Sequence, residues 1–399
     1  MAYKKLLNVE NLTLLGIVLG VVYGYFWPQM ALQTDVIGAL YLKLLKMLII
    51  PLVVASIFIA ITSLSSKEEL KSIGLKAFAY YLSTTALAVT LGLVVFNLIQ
   101  PGSGKHILEA PAMDIAKKEL SLSDFLLSFV PANIFDALGK GAILPIIFFT
   151  ILFAIGALFI QEAKRRTLYS FFDAINDAMM VLAKWVITLT PIGVFSLIGA
   201  TVAKNGLEPL LQLYSYVLTV LAALAIHAAI VLPAIGYIFG RFNPYAYFLR
   251  IKEAPLIAFS TASSSATLPV SLEVAETQGG VSKKVAGFVL PLGATINMDG
   301  TALYESIAVM FIANISGVEL SLAQQLTIFL TVTFASIGAA GIPGAGLIMM
   351  TMVLDSVGLP ASSIALIIAV DRFLDMFRTA VNNWGDLLGA RLIEALLRR

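Results

Sequence analysis

Long apolar runs recur through the first 240 residues, at about 10–30, 37–64, 74–100, 121–163, 173–201 and 211–240. Each exceeds the roughly 20 residues an α-helix needs to cross the hydrocarbon, so each predicts a spanning helix. The fourth run is too long for one straight helix and carries Pro131 and Pro145, which predicts either two crossings or one crossing in broken segments. The basic residues choose between these. They collect at Lys4 and Lys5, at Lys67, Lys71 and Lys76, at Lys164, Arg165 and Arg166, and at Arg241, Arg250 and Lys252. The alternate connections hold none over 31–36, then Lys105, Lys117 and Lys118 beside acids, then Lys204. That alternation predicts a cytoplasmic N-terminus and one net crossing over 121–163.

Beyond about residue 243 the pattern changes. FSTASSSATLPV (259–270) puts Ser260, Ser263, Ser264, Ser265 and Thr267 into a short run closed by Pro269, and SIGAAGIPGAG (336–346) puts four glycines around Pro343. Apolar helical sequence flanks each run, too short on either side for two spans. The prediction is a helical hairpin that enters the membrane and turns back. Its tip must be buried in protein or face water, because each unsatisfied backbone group in lipid costs about several kcal/mol. A helix rich in polar groups follows each hairpin, at about 284–316 (interrupted at Asn297–Gly300) and about 362–396. Hairpin plus helix, twice, is the internal repeat that secondary transporters build around a midplane site.

Composition agrees. Mean hydropathy is +0.93, 59% of residues are hydrophobic and 13% are charged, against about 25% charged in soluble domains. The chain is therefore read as an all-α polytopic membrane protein. The net charge of +2 decides nothing. The absence of cysteine excludes disulfides and thiolate chemistry. His106 and His227 match no short-range metal-ligand motif. The charged start, MAYKKLLNVEN, leads into an apolar stretch too long for a cleavable signal. No nucleophile, base and orienting group fall together, which argues against an enzyme; a channel is the competing class.

Candidate chemistry concentrates in DRFLDMFRTAVNNWGD, residues 371–386. On a helix, Asp371, Asp375, Arg378, Thr379, Asn382 and Asp386 share an arc of about 100°. Intramembrane carboxylates are costly and mark ion or substrate paths. Three acids against Arg378 favour cation binding over a structural salt-bridge network. The planar fork of Arg378 suits a carboxylate and Asp375 suits an ammonium. Thr379 and Asn382 add neutral hydrogen bonds, so an acidic amino acid fits, its main-chain carboxylate going to Asn382 and the serine-rich tip. Asn297-Met298-Asp299-Gly300-Thr301 reads as an unwound turn that frees carbonyls beside a carboxylate, a setting for a hard cation such as sodium; a loop between two short helices is the alternative. Glu305 is either a proton carrier or a hydrogen-bonded acid. Arg372 pairs with a neighbouring acid or helix end. Tyr80, Tyr81, Thr84 and Thr85 read, on their own, mainly as packing and back-bonding groups.

SSSATLPV (263–270), NMDGTALYE (297–305), GAAGIPGAG (338–346) and DMFRTAVNNWGD (375–386), in this order, give the chain a specific resemblance. Over nearly its whole length it resembles the glutamate/aspartate transporters, the dicarboxylate/amino-acid:cation symporters of bacteria, archaea and animals. The resemblance implies a homotrimer in the lipid bilayer of the cytoplasmic (inner) membrane, with no nucleic-acid partner. Each protomer would have eight membrane helices and two re-entrant hairpins, arranged as an inverted-repeat elevator transporter. It implies a static scaffold over 1–72 and 101–205, and a moving core over 73–100 and 206–399. Within that core lie hairpin 1 at about 245–282, the seventh helix at about 284–316, a gating hairpin 2 at about 320–359, and the eighth helix at about 362–396. The substrate, L-aspartate or L-glutamate, would meet Ser264, Ser265, Thr301, Ile342, Gly346, Asp375, Arg378, Thr379 and Asn382. Na+ is implied at Tyr81, Thr84, Thr85, Asn297 and Asp299, at Asp386 with carbonyls near Gly293, Asn297 and Asn382, and at Thr295, Met298, Ser336 and Ile337. Asp371 would orient the binding region. Asp386 and NMDG follow the sodium-coupled pattern, and Glu305 matches the glutamate linked to protons in animal members. The second arginine common in the acidic-substrate branch is missing: Ala262 and Met376 stand at its two positions.

Overall fold

The computed structural model describes residues 9–62, 73–102, 130–207, 213–336 and 344–398, and among these every regular element is helical. Helix α1 (Val9–Phe26) does not continue into α2 (Pro28–Gln33): the chain turns by 119° there. Proline disfavours the helical conformation in the residue before it, and Trp27 sits at φ −128°, ψ 55°. The first apolar run is therefore a helix that ends at Phe26 rather than a continuous span to residue 30. Helix α3 (Asp35–Thr62) and α4 (Leu75–Ile99) occupy the second and third runs. In the fourth run, α5 (Ile134–Lys140) and α6 (Ile143–Ala157) are separated at Gly141, whose φ of +68° ends the first of them. The fifth run is also broken: α7 (Glu162–Thr188) and α8 (Thr190–Asn205) meet at 52°, with Pro191 in the first turn of α8. The sixth comprises α9 (Leu213–Ile226), a π-turn (His227–Val231) and α10 (Leu232–Gly240).

The remaining helices, apart from the last, are short. They are α11 (Pro244–Ile251), α12 (Glu253–Thr261), α13 (Ser264–Thr277), α14 (Lys283–Ile296), α15 (Asp299–Ile315), α16 (Leu322–Ala335), α17 (Ala345–Ser356) and the long α18 (Ile364–Leu397). Helices α12 and α13 pack on each other across a two-residue turn, as do α16 and α17 around residues that lie outside the described set. At the first turn Ala262 is held in the left-handed region at φ +48°, and the Ser263 hydroxyl accepts from Ala266 N–H at 3.2 Å to cap α13. Among the described residues, Leu75–Ile99 and Leu213–Gly240 are long and apolar enough to cross a membrane, and up to four such spans exist if each bent pair counts as one. The architecture is an all-α, multipass membrane fold.

Two packed groups make up the molecule. In the first, α1, α3, α6, α7 and α8 associate, and α1 lies on α8 through Gly16, Gly20 and Gly24. Small residues four apart let helix backbones approach closely in a membrane. A Cβ on Gly20 would stand 2.7 Å from the Phe195 carbonyl oxygen. Gly20→Ala is therefore expected to cost about 1–3 kcal/mol of stability, read as a lowered melting temperature in detergent. In the second group α4, α9, α10, α12–α15 and α17 surround α18, and α16 packs on α4, α15 and α17. The groups meet where α17 leans on α3, α16 on α6 and α18 on α8.

Candidate binding site

The site forms where the apolar pattern of a spanning helix fails at residues 297–298. Asn297 (φ −93°, ψ 89°) and Met298 (φ −114°, ψ 47°) leave the helical region, so α14 ends and α15 begins inside the protein. The unpaired N–H of Gly300, at the start of α15, is taken by Asn382 Oδ1 of α18 at 2.7 Å. A side chain at Gly300 would collide with the Arg378 backbone, which explains the glycine. Asn297 and Asp299 are fully buried, so the break between these two helices is not a solvent-exposed loop.

Hydroxyls from α4 reach this break. Thr85 Oγ1 donates to Asp299 Oδ1 at 2.8 Å, and Thr84 Oγ1 lies 3.4 Å from Asn297 Oδ1. Tyr81 donates to the Val289 carbonyl and Tyr80 to the Gly385 carbonyl. These residues pack as expected, Thr84 also bonds one turn back to Tyr81 O at 3.1 Å, and the hydroxyls of Tyr80, Tyr81 and Thr85 reach α18, α14 and α15. Asp386 accepts from Asn297 Nδ2 at 2.9 Å, and a Cβ on Gly293 would clash with both the Asp386 carboxylate and the Tyr81 hydroxyl. Tyr81, Thr84, Thr85, Asn297, Asp299, Gly293 and Asp386 thus share one buried, oxygen-rich region.

On α18 the predicted arc is real, but its charges are arranged differently from the sequence reading. Arg378 is fully buried and bridges two acids, donating to Asp371 Oδ1 at 2.9 Å and to Asp375 Oδ1 at 2.8 Å. Asp375 is three residues back and Asp371 seven, so both fall on the arginine's face and one fork reaches both. Of the three acids expected to lack compensation, Asp371 and Asp375 pair with Arg378, and Asp386 has no arginine beside it among the described residues. The guanidinium carbon also lies 3.9 Å from the centroid of the Tyr304 ring. Arg372 Nη1 is 4.0 Å from Asp375 Oδ2, the acid pairing expected of it.

Around this pair, Asn382 Nδ2 donates to Thr301 Oγ1 at 3.3 Å, Thr379 is buried beside it on α18, and Gly346 lies against both Arg378 and Thr301. The backbone N–H of Gly344, at the head of α17, donates to Asp375 Oδ2 at 3.1 Å. Ser264 is buried at the head of α13, whereas Ser265 is exposed. Ser336 is buried with its hydroxyl on the Thr333 carbonyl, and Met298 Sδ receives Asn382 Nδ2. Thr295 is exposed and its hydroxyl is spent on the Leu292 carbonyl at 2.9 Å, which leaves it only backbone to contribute. Ile337 and Ile342 lie outside the described residues, as does His106. Glu305 is buried with no hydrogen-bond partner for either oxygen among the described residues, which goes against its reading as a hydrogen-bonded acid.

Sequence reasoning missed His227. Weighed only as a metal ligand, it is instead completely buried, with Nε2 3.3 Å from Asp299 Oδ2. The available signal was an ionisable residue inside an apolar span, six positions before Pro233.

A buried arginine–carboxylate pair thus lies beside an oxygen-lined helix break within an all-α, multipass membrane fold. Residues 11–396 match the sodium:dicarboxylate symporter family. The chain is 35% identical over 391 residues to the proton/sodium-glutamate symport protein of Geobacillus stearothermophilus, covering 95% of this chain and 92% of that one. It is 36% identical to the proton/sodium-glutamate symport protein of Bacillus subtilis (94% and 89% covered). It is 37% identical to excitatory amino acid transporter 3 of Mus musculus (99% and 86% covered). The protein belongs to the sodium:dicarboxylate symporter family.

Proposed function

We propose that this protein is a sodium-coupled symporter of acidic amino acids. The observation that carries the reading is the Arg378–Asp375 pair on a buried face of α18, next to the broken α14–α15 helix. In the structure each partner is engaged internally: Arg378 by Asp371 and Asp375, and Asp375 also by the Gly344 N–H. An acidic amino acid offers the same chemistry from outside. Its side-chain carboxylate accepts from Arg378, its ammonium replaces a donor on Asp375, and its main-chain carboxylate meets Asn382 and the N-terminus of α13 near Ser264. The relatives named for glutamate support this substrate class.

Sodium fits the remaining groups. Tyr81, Thr84, Thr85, Asn297 and Asp299 supply only oxygens of the hard type, as does Asp386 with the carbonyls around Gly293, Asn297 and Asn382. A third position joins Met298, Ser336 and Ile337 with the Thr295 backbone. Ionised, the buried carboxylates Asp299, Asp371, Asp375 and Asp386 outnumber the guanidiniums of Arg378 and Arg372 that pair with them. A core so charged crosses a membrane only when cations join it, and that makes coupling obligatory. The α16–α17 hairpin, bonded to Asp375 through Gly344, acts as the gate over the substrate.

The same reading gives a homotrimer in the cytoplasmic membrane, with the N-terminus inside. Each protomer has eight spans and two re-entrant hairpins, α12–α13 and α16–α17. The group around α1, α3 and α8 is the scaffold and the group around α18 is the moving core.

Binding tests the substrate class. Isothermal titration in saturating sodium is expected to detect aspartate or glutamate and neither succinate nor alanine; succinate alone would overturn it. Glu305, buried and without a hydrogen-bond partner among the described residues, is the proposed proton site. Glu305→Gln is expected to keep sodium-dependent substrate exchange and to lose the internal pH change that accompanies uptake, followed with a trapped pH dye.

A further inference from the structure

Helix α9 does not run straight into α10. At the π-turn the Leu232 N–H bonds to the His227 carbonyl, five residues back. Pro233 follows and has no N–H, so the carbonyls near Ala228 and Ala229 lose their helical donor. Both are satisfied from other elements: Trp384 Nε1 of α18 donates to Ala228 O at 3.1 Å, and the Tyr245 hydroxyl of α11 donates to Ala229 O at 2.8 Å. The widened turn is therefore held in place by α18 and α11. Such π-turns are rare and concentrate at functional sites.

What the turn presents is His227. Its ring is fully buried, Nε2 faces Asp299 Oδ2 at 3.3 Å, and Nδ1 has no partner among the described residues. An ionised carboxylate only accepts hydrogen bonds, so Nε2 is the donor. Thr85 holds the other oxygen, Oδ1, at 2.8 Å. The two donors approach Asp299 from different helices, α9–α10 and α4, and fix the plane of the carboxylate.

We infer that His227 is a positioning residue for sodium: the proline-linked π-turn aims its ring at Asp299 so that the carboxylate is oriented for the ion. This rests on Asp299 being a sodium ligand. The role is separate from substrate recognition, because among the described residues the His227 ring hydrogen-bonds Asp299 and none of the groups around Arg378.

The test measures sodium binding to purified protein by tryptophan fluorescence or thermal shift, without substrate, and then aspartate affinity at saturating sodium. Outer partners of metal ligands shift metal affinity by about 10- to 100-fold. His227→Ala is expected to raise the sodium half-saturation concentration about tenfold or more and to leave aspartate affinity at saturating sodium nearly unchanged. His227→Gln, whose amide N–H reaches a position close to Nε2, is expected to restore sodium binding toward wild type. An unshifted sodium curve in His227→Ala, where Asp299→Asn shifts it strongly, overturns the inference alone. An unshifted curve in Asp299→Asn overturns the sodium-site reading as well. Equal loss in the alanine and glutamine variants, with aspartate affinity falling in parallel, makes His227 a packing residue and also overturns the inference.

Discussion

Arg378→Ala abolishes binding of acidic substrates while a sodium-induced thermal shift persists. Arg378 is completely buried and supplies the fork on which the substrate carboxylate depends. Truncating one partner of a buried, hydrogen-bonded charge pair costs about 2–5 kcal/mol, roughly 30- to 4,000-fold in affinity. The loss extends beyond one contact. Without the guanidinium, Asp371 and Asp375 face each other and the Tyr304 ring loses the cation stacked on it. Arg378→Lys keeps the charge but not the planar fork, and is expected to fall between wild type and alanine. Acidic substrate bound at unchanged affinity by the alanine variant would remove the substrate assignment. The sodium-induced shift shows that the variant is folded, because Asp299 and Asp386 are bonded by Thr85 and Asn297 rather than by Arg378.

Asp386→Asn is the second large effect. The substitution preserves size and removes the one carboxylate of the α18 face that has no arginine beside it. A ligand charge lost from a buried hard-cation site is expected to raise the sodium half-saturation concentration at least about tenfold, since cation affinity is tuned by ligand charge. Linkage makes the effect reciprocal: substrate affinity falls at low sodium and recovers as sodium saturates, because ion and substrate each raise affinity for the other by the same factor. Titrating aspartate binding at several sodium concentrations reads this directly. Parallel curves for wild type and variant, displaced neither in sodium nor in substrate, would exclude Asp386 from the ion site.

Much of this site can be read in the sequence, for a physical reason. Apolar flanks leave no length for a solvent loop at Asn297–Thr301, so polar residues there must be buried and must serve each other. Periodicity puts Asp371 through Asp386 on one face, because α18 is a regular helix throughout that stretch. Partner choice was harder to read. Asp371 and Asp375 share Arg378, a consequence of side-chain reach that helical arcs do not specify. Nor did the arc reveal that hydroxyls of α4, distant in sequence, close the far side of the break, or that Thr295 turns outward. Proline bends at Trp27–Pro28 and Leu189–Thr190 interrupt runs whose hydropathy is continuous, since window averages do not register a single missing N–H. His227 was hidden by the same effect: its value lies in a π-turn that hydropathy cannot register.

Acidic amino acid and sodium are expected to move together. Purified protein in proteoliposomes, given radiolabelled aspartate or glutamate, is challenged first with an inward sodium gradient and then with a proton gradient alone. Concentrative, saturable uptake that requires the sodium gradient is the predicted result. Uptake driven by protons alone, or an unsaturated flux independent of substrate, would contradict it.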